Sequence, residues 1–394
     1  MTEKPNIIVC LCDQLRPFEL GCYGGEQVRT PNIDRLSASG VRFEHAVSNC
    51  PLCAPARSCL LSGQYTRTCT GKLGNIGDIE PGRYRLRDRT FPEVLKAAGY
   101  HTQLIGKWHV SPHPRVLGFD DSVRADVWHL NTGQTYYTHE DEALEVPGFG
   151  PEFESERVAE FLRSSQNDPF FLYYNISLPH MPFFDLPQRY LEEYRPEDVR
   201  LRENVEIDGE LPYDRHWLLS YWYDHLYYVK HDPNCATLPE GFDARAVTAA
   251  YYGAIQCVDD AVGRMMMVLE ETGRLEDTLV VFLSDHGDNL GSHHFWNKER
   301  LIEESIRIPM LWHWPAGFDS QVCDGQVSSL IDVAPTLASL VGAEEGNEHF
   351  QGRNLMPILT GAAAALPENY AIVEAMRGEI GVRTPRFMYG IKTD

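Results

Sequence analysis

Short runs of β-branched and aromatic residues alternate along the chain with segments whose apolar residues recur at helical spacing. The short runs predict β-strands, and the periodic segments predict amphipathic α-helices. Regular alternation of the two favours an α/β fold built around a largely parallel sheet. The predicted strands are Ile7–Cys12, Thr102–Gly106, Phe170–Ile176, Leu279–Ser284, Pro309–His313 and Tyr370–Glu374.

The helical segments carry residues typical of helix termini. Pro31 stands in the first turn of one segment, where a missing N–H leaves no hydrogen bond unmade. Gly99 and Gly273 directly follow two other segments, as is common at helix ends. The predicted helices are Thr30–Ser39, Thr90–Ala98, Ser155–Ser164 and Ala244–Thr272.

Residues 196–240 differ from the rest of the chain because charges are mixed there with a dense group of aromatic residues. We interpret this segment as an insertion beside the main fold, serving as a lid or an oligomer contact; an amphipathic helix packed on the sheet is an equal alternative. The rings also suit a cage for a quaternary ammonium group or a stacking surface for a sugar or aryl group. They are Tyr213, Trp217, Tyr221, Trp222, Tyr223, Tyr227 and Tyr228.

The composition is that of an ordinary globular protein, with 394 residues, 43% hydrophobic and 23% charged. This length exceeds a typical single core, so we expect one large domain and a smaller piece. We place them at residues 1–365 and 366–394. The net charge of −22 argues against a nucleic-acid partner, and it requires an anionic substrate to meet local cations in its site.

The apolar run at the start of the chain, Asn6 to Cys12, is too short for the hydrophobic region of a signal peptide. No run approaches the ~18 apolar residues of a membrane span. We therefore expect a soluble, cytoplasmic protein with no membrane partner. Without a secretory signal, the ten cysteines are expected to be reduced thiols.

Two sequence signatures occur in order along the chain. Cys53-Ala54-Pro55-Ala56-Arg57, continued to Gly63, resembles the C-x-P-x-R signature of the type I, formylglycine-dependent sulfatases. The segment from Gly99 to His109 is similar to the second signature of that family, which closes on G-K-x-H. Ser284-Asp285-His286-Gly287-Asp288 looks like its metal loop, and Thr30–Leu36 is similar to the segment after its first strand. The resemblance extends from Asn6 to about Asp332.

The resemblance implies an alkaline-phosphatase-like α/β/α sandwich with a large mixed, mostly parallel sheet and a small C-terminal antiparallel subdomain. Residues 1–365 would form the catalytic domain, and residues 366–394 the start of the subdomain. Family members usually continue with further strands and a helix, so we expect this region to be truncated.

Cys53 is the residue that the family oxidises to formylglycine with the help of a maturation enzyme. The hydrate of that aldehyde presents one hydroxyl to attack sulfur and a second whose deprotonation releases sulfate. A buried thiol, a thiol nucleophile and half of a Cys50-x-x-Cys53 redox or zinc pair are the alternatives. Zinc needs further ligands at matching spacing, and the sequence has no second C-x-x-C. A redox pair does not require Pro55 and Arg57, whereas the maturation enzyme does.

By the same resemblance, a divalent cation is held by Asp13, Gln14, Asp285 and His286 together with the modified Cys53. Both aspartates follow predicted strands, where α/β sheets place their sites; a turn or helix-cap role is the alternative for each. The Asp-Gln and Asp-His pairs resemble choline-sulfatase-like and phosphonate monoester hydrolase relatives. Oxygen ligands favour Ca²⁺ or Mg²⁺, and an imidazole shifts the preference towards Mn²⁺. We expect Ca²⁺, with Mn²⁺ as the alternative.

The remaining roles also come from the resemblance. Arg57 would brace the hydrate, and Lys107 and Lys298 would hold sulfate oxygens as point charges, with Lys298 also assisting the leaving group. His109 would take the proton during sulfate release. His180 would hydrogen-bond the ester and serve as a candidate acid; a structural loop histidine is the alternative. Asn75 would contact the substrate anion.

The leading hypothesis is hydrolysis of a sulfate ester of a small organic molecule or sugar, with choline sulfate one candidate. A phosphonate monoester or phosphodiester hydrolase with the same nucleophile is the closest alternative, and Lys107-x-His109 favours the sulfatase. A catalytically silent binding protein of the same fold is a third hypothesis, against which the intact candidate residues argue. A homo-oligomer is compatible with each.

Overall fold

The computed structural model describes residues 4–71, 73, 86, 88–125, 129–164, 169–205, 215–223, 240–376 and 378–392. Within these ranges, ten strands form one sheet in the order β10-β2-β9-β8-β1-β7-β3-β4-β5-β6. They are β1 (Asn6–Asp13), β2 (Val41–Val47), β3 (His101–Lys107), β4 (Asp121–Ala125), β5 (Thr132–Tyr137), β6 (Ala143–Phe149), β7 (Phe170–Pro179), β8 (Thr278–Ser284), β9 (Met310–His313) and β10 (Gln321–Ser329).

The centre of the sheet is parallel. Strands β4, β3, β7, β1 and β8 run side by side in one direction, and β2 is parallel to β10. Strand β9 is antiparallel to both β8 and β2, and β5 and β6 form an antiparallel edge. The prediction of an α/β fold with a mixed, mostly parallel sheet is confirmed.

Helices cover both faces of the sheet. The described α-helices are α1 (Pro31–Ala38), α2 (Cys53–Ser62), α3 (Thr66–Cys69), α4 (Phe91–Ala97), α5 (Gly150–Ser164), α6 (Gln188–Leu191), α7 (Arg215–Trp222), α8 (Ala244–Glu271), α9 (Glu303–Ile306), α10 (Val333–Leu340) and α11 (Met356–Leu359). Asp243 begins α8 by accepting hydrogen bonds from the backbone N–H groups of Arg245 and Ala246. A capping box between Thr90 and Glu93 begins α4.

The core consists of two apolar layers separated by the sheet. Side chains alternate between the two faces of a strand, and β1 is buried on both. Ile8 and Cys10 pack with α1, α5 and α8 on one face. Ile7 and Val9 pack with α2, α4 and α10 on the other. The result is the three-layered sandwich that the resemblance implied.

A second, smaller sheet follows the sandwich. Strands β11 (Ala371–Glu374), β12 (Glu379–Arg383) and β13 (Met388–Lys392) pair antiparallel in that order. The Asn49 amide donates a hydrogen bond to the Ile372 carbonyl, which ties this sheet to the segment that leads into α2. The antiparallel C-terminal unit is confirmed, while the domain boundaries at residue 365 stay a prediction.

The local predictions agree with these elements where the apolar pattern was strong. All six predicted strands and all four predicted helices are present, although the third helix begins earlier, at Gly150. None of the helices in the described ranges combines the length and apolarity needed to cross a lipid bilayer. The described cysteines are free thiols; Cys235 lies outside the described residues.

The aromatic insertion is described only in part. Tyr213, Tyr227, Tyr228 and the side chain of Trp217 lie outside the described residues. Tyr221, near the end of α7, is fully buried, and its ring packs edge-on against Trp296 with 5.5 Å between centroids. This ring is therefore part of the core and does not offer a face to a ligand.

Candidate active site

Four neighbouring parallel strands end at the same edge of the sheet, and each delivers site residues there. Strands β3 and β7 lead to Lys107 and His180, and β1 and β8 end at or just before Asp13 and Asp285. The backbone N–H of Asp285 donates to the Cys12 carbonyl at 3.1 Å, so the two aspartates emerge side by side. Parallel pairing therefore brings together residues that are far apart in the sequence.

Helix α2 adds the nucleophile position to this edge. Cys53 is its first residue, and Arg57 lies one turn later on the same face. The Cys53 sulfur is 3.6 Å from Asp13 Oδ1, 3.3 Å from His286 Nε2 and 3.0 Å from Lys298 Nζ. The helix N-terminus also directs its partial positive charge towards this sulfur.

Arg57 organises the two carboxylates. Its Nε donates to Asp285 Oδ2 at 3.0 Å, and its Nη2 donates to Asp13 Oδ2 at 3.1 Å. Lys107 forms an ion pair with the same Asp13 oxygen. The Oδ2 atoms are thus taken by cations of the protein, and Asp285 Oδ1 accepts hydrogen bonds from the backbone N–H groups of Gln14 at 3.1 Å and His286 at 2.9 Å. The remaining carboxylate atoms are the two Oδ1 oxygens. They face His286 Nε2 at 3.8 and 3.6 Å.

The donor set fits a divalent cation. Asp13, Cys53, Asp285 and His286 each offer one ligand atom, and these atoms lie within 4.8 Å of one another. The His286 Nδ1 atom is 2.9 Å from the Gly287 carbonyl, which can only accept, so Nδ1 carries a proton and Nε2 presents its lone pair. Two carboxylates and an oriented imidazole form a suitable site for Ca²⁺ or Mn²⁺.

The charges of the site explain why such an ion would be stabilised. Burial, together with the neighbouring Asp13, raises the pKa of Asp285. Burial would also raise the pKa of the Cys53 thiol, but Lys298 and Lys107 outweigh it and hold that pKa well below its usual value. Burial likewise opposes ionisation of Asp13, yet Lys107, His180 and Arg57 keep its pKa low. Several buried anionic groups therefore converge where the ligand atoms meet.

Gln14 lies beside this cluster in left-handed backbone, with φ 69°. Its Nε2 donates to Asp288 Oδ2 at 2.6 Å and to Asn297 Oδ1 at 3.2 Å. Its Oε1 accepts from Lys298 Nζ at 2.9 Å. Gln14 is thus at the site, with its amide oxygen occupied by Lys298, and its assignment as a metal ligand stays a prediction.

The predicted histidines also reach the nucleophile position. Both His109 and His180 lie beside Cys53, which acts to raise the pKa of each ring. Burial and then Lys298 lower the pKa of His180 to about 4, so its ring is neutral near pH 7. Its Nδ1 donates to the Met181 carbonyl, which leaves Nε2 for the site. Asn75 lies outside the described residues, so its predicted contact with the substrate stays a prediction.

Sequence reasoning missed four residues that contact the predicted ones. The His129 ring stacks on His180 with 4.1 Å between centroids, and its Nδ1 is 3.4 Å from Lys107 Nζ. Asp288 and Asn297 hold Gln14, and Tyr221 contacts both of them. Asp288 belongs to the metal-loop motif, and Asn297 directly precedes Lys298. Both residues could therefore have been identified from their positions in the sequence. His129 has no such signal, and Tyr221 was named only as a member of the aromatic group.

A groove of about 1040 Å³ lies elsewhere on the molecule. Its lining includes Leu275 and Glu276, just before β8, and His313, the last residue of antiparallel β9. These positions are at the amino edge of the parallel strands, opposite the site. The groove is open and carries both signs of charge, and it contains none of the predicted residues.

Comparison with known proteins agrees with this geometry. Residues 5–343 match the family model described as Sulfatase. The chain belongs to the sulfatase family. Most of the named relatives are sulfatases, which are sulfuric ester hydrolases, and the expected family and enzyme class are thereby confirmed. The match covers both signatures and every residue to which we assigned a role.

Individual relatives are about 30% identical to this sulfatase over the aligned residues. It is 31% identical to the ulvan-active sulfatase of Formosa agariphila, over 86% of this chain and 61% of that protein. It is 30% identical to the multifunctional alkaline phosphatase superfamily protein PehA of Trinickia caryophylli, over 91% of this chain and 77% of that protein. The chain therefore spans 61% of the length of the first relative and 77% of the length of the second.

The solved structure of the yidJ protein of Bacteroides fragilis has the same fold. It superposes with a TM-score of 0.81 at 25% identity, covering 99% of this chain and 86% of that one. The agreement extends over both the large sheet and the small C-terminal sheet.

Proposed function

We propose that this sulfatase hydrolyses a sulfate monoester with formylglycine at position 53 as the nucleophile and a divalent cation beside it. The observation that carries the proposal is the position of the Cys53 sulfur. It lies 3.0 Å from the Lys298 ammonium and within 4.8 Å of the ligand atoms of two carboxylates and an imidazole. A thiol in a redox or zinc pair does not require an ammonium group, two carboxylates and an imidazole around it. An oxygen nucleophile activated by a cation does.

Asp13, Asp285 and His286 would hold the cation, with Gln14 as a further candidate. When bound, the ion supplies charge neutralisation of the ester oxygens and lowers the pKa of a hydroxyl that it contacts. Oxygen donors support Ca²⁺, and the oriented His286 imidazole keeps Mn²⁺ as the alternative. Arg57 keeps both carboxylates in place through their outer oxygens.

The cations of the chain suit a small anionic ester in a protein of strongly negative charge. Lys107 and Lys298 would bind sulfate oxygens as two point charges, and Lys298 would also stabilise the departing alcohol oxygen. His109 would accept the proton when sulfate is released. His180 would hydrogen-bond the ester, and the negative charge of a bound substrate would raise its pKa towards the range needed for proton donation.

The residue set also supports a second candidate function, a phosphonate monoester or phosphodiester hydrolase with the same nucleophile. The relative PehA, whose name describes a multifunctional member of the alkaline phosphatase superfamily, motivates it. The Lys107 and His109 pair beside the nucleophile position favours the sulfatase. The name of the ulvan-active relative supports a sulfated sugar as the substrate, and choline sulfate stays an alternative.

Conversion of Cys53 is expected to involve a separate maturation enzyme. Every residue of α2 is buried in the folded chain, so an enzyme that oxidises Cys53 has to reach it before the helix packs. We propose a cytoplasmic location for the mature protein, in keeping with its reduced thiols.

The decisive experiment uses protein co-expressed with a formylglycine-generating enzyme. Mass spectrometry of the peptide that contains residue 53 establishes the aldehyde, and kinetics on matched aryl sulfate and aryl phosphonate esters establish the reaction. Cys53→Ala is expected to lower kcat by about a thousandfold or more. Cys50→Ala, which removes a buried thiol outside the site, is the matched control and keeps its activity.

Two results would decide against the proposal. Full turnover by Cys53→Ala would exclude the formylglycine nucleophile. A large preference for the phosphonate ester would instead transfer the assignment to the second candidate function.

A further inference from the structure

Tyr221 connects the aromatic insertion to the loop that carries the site residues. It lies near the end of α7, it is fully buried, and its ring packs against Trp296 and Phe183. Its backbone carbonyl accepts a hydrogen bond of 2.9 Å from the Phe183 N–H, three residues after His180. Tyr221 therefore contacts two segments that carry site residues: the segment after His180, at Phe183, and the loop before Lys298, at Trp296.

The Tyr221 hydroxyl makes two hydrogen bonds that join the ends of this loop. It donates to Asp288 Oδ1 at 2.7 Å, and it accepts from the Asn297 backbone N–H at 2.6 Å. Asp288 is buried close behind the metal-ligand candidates, and Asn297 directly precedes Lys298 in left-handed backbone, with φ 63°. A backbone hydrogen bond of 2.6 Å from the Asn289 N–H to the Asn297 carbonyl joins the same two segments, and the Tyr221 hydroxyl adds a side-chain link between them.

Both partners of Tyr221 hold the Gln14 amide. Asp288 Oδ2 and Asn297 Oδ1 can only accept, so the atom of Gln14 that faces them must be the Nε2 donor. The Gln14 Oε1 atom is then directed to the other side, where it accepts from Lys298 Nζ at 2.9 Å. The hydrogen-bond partners therefore determine which end of the Gln14 side-chain amide is oxygen and which is nitrogen.

The same ammonium group lies 3.0 Å from the Cys53 sulfur. Lys298 is a flexible side chain with four rotatable bonds, and holding it in one position requires a fixed acceptor. Besides the Cys53 sulfur, Gln14 Oε1 is such an acceptor. Asp285 and Tyr251 hold the Gln14 backbone, and Tyr221 bonds both residues that hold its side-chain amide.

We propose that Tyr221 is a positioning residue that holds the Lys298 ammonium against the nucleophile through Gln14, and that this residue of the aromatic insertion is thereby part of the active-site scaffold. The inference rests on the proposed function for the role of Lys298 in binding sulfate and assisting the leaving group. It gives this residue of the insertion a positioning role. That role differs from the lid and the ligand cage that the sequence suggested.

The test is Tyr221→Phe in the metal-loaded enzyme carrying formylglycine. This change removes one oxygen and retains the buried ring. We expect kcat to fall about tenfold on an aryl sulfate with a good leaving group and more on an alkyl sulfate with a poor one, because Lys298 acts on the departing oxygen. The KM for both esters should change less than kcat.

A double-mutant cycle with Lys298→Ala shows whether Tyr221 acts through Lys298. If it does, adding Tyr221→Phe to Lys298→Ala produces little further loss, because coupled residues are not additive. Full additivity of the two losses would overturn the proposal.

The matched control is Tyr23→Phe. The Tyr23 hydroxyl likewise joins two backbone groups, donating to the Phe43 carbonyl and accepting from the Met310 N–H, and neither group belongs to a site residue. Both variants are expected to unfold at lower temperature than the wild type, but only Tyr221→Phe should change the dependence of kcat on the leaving group. If Tyr221→Phe lowers stability alone, its role is structural and the proposal is wrong.

Binding of inorganic sulfate, measured by calorimetry, gives a readout that needs no turnover. The dissociation constant is expected to rise about threefold in Tyr221→Phe, less than the loss in kcat, and to stay unchanged in Tyr23→Phe. Equal values in Tyr221→Phe and the wild type would contradict the proposal. Wild-type protein that binds sulfate but hydrolyses no sulfate ester would refute the proposed function, while this comparison still decides the position of Lys298.

Discussion

At the scale of single residues, Glu154 is an ionisable group buried in the core away from the site. It lies on α5, its Oε1 accepts a hydrogen bond of 3.0 Å from the Tyr136 hydroxyl, and its Oε2 has no partner among the described residues. Burial raises its pKa to about 8, and the Tyr136 hydrogen bond only partly opposes this shift. The carboxyl group is therefore protonated in the folded protein at neutral pH.

This shift makes the free energy of unfolding depend on pH. Below about pH 4.5 the carboxyl is protonated in both states and has no effect. Between pH 4.5 and 8 the unfolded chain loses the proton while the folded chain keeps it, so stability falls as pH rises through this window. Each pH unit in the window is worth about 1.4 kcal/mol.

Glu154→Gln is expected to remove this dependence. The variant should match the wild type near pH 4.5 and exceed its free energy of unfolding by roughly 4 kcal/mol at pH 8. Urea denaturation at the two pH values measures the difference. Glu152→Gln, which changes an exposed carboxylate on the same helix, is the control and should run parallel to the wild type. If the free energy of unfolding of Glu154→Gln also runs parallel to that of the wild type with pH, the pKa of Glu154 is not raised by folding.

At the scale of elements, Gly106 determines how closely β3 approaches β7. Its φ is +99°, and a Cβ at this position would lie 2.0 Å from the Asn175 carbonyl oxygen. Gly106 directly precedes Lys107, so any displacement of the strand end also displaces a cation of the site. The signature G-K-x-H therefore contains a steric requirement in addition to its chemical groups.

Gly106→Ala is expected to lower the free energy of unfolding by about 2–4 kcal/mol and to reduce kcat of the folded fraction. Gly99→Ala is the matched control, since Gly99 has a similar φ of +93° but nothing within 4 Å of its Cβ position. The control should lose only about 1 kcal/mol and keep its activity. Equal losses in the two variants would mean that backbone strain, and not the contact with β7, governs Gly106.

At the scale of the whole molecule, the candidate metal ligands come from three remote parts of the chain. Asp13 follows β1, Cys53 begins α2, and Asp285 and His286 follow β8. Only the folded chain brings them together, so a cation that binds there stabilises the folded state by mass action. A saturating ion at a hundred times its dissociation constant adds about 2.7 kcal/mol.

Treatment with a chelator is therefore expected to lower the unfolding temperature, and adding Ca²⁺ or Mn²⁺ to restore it. Calorimetry at a series of ion concentrations measures both. Asp285→Asn should abolish the response, whereas Asp259→Asn, which changes a buried carboxylate that caps α1, should lower stability and retain the response. An undiminished shift in Asp285→Asn would place the ion elsewhere.

The sequence by itself determined the central strands and the residues that follow them. The runs that become β1, β3, β7 and β8 are apolar enough to be recognised alone, because strands buried on both faces need no polar positions. Parallel strands expose their carboxyl ends at one edge, so Asp13 and Asp285 were predictable neighbours. The four-residue spacing from Cys53 to Arg57 likewise corresponds to one helical turn and needs no tertiary information.

Only the tertiary structure decided which distant side chains support these residues. Strand β6 is largely exposed, so its sequence lacks the apolar pattern by which central strands are recognised. Tyr221 is 67 positions from Asp288, and the sequence contains no pattern that connects them. The orientation of the Gln14 amide, the stacking of His129 on His180 and the neutral Glu154 depend on the same kind of contact. Local sequence reports backbone preference and burial, whereas hydrogen-bond partners are fixed by how the elements pack.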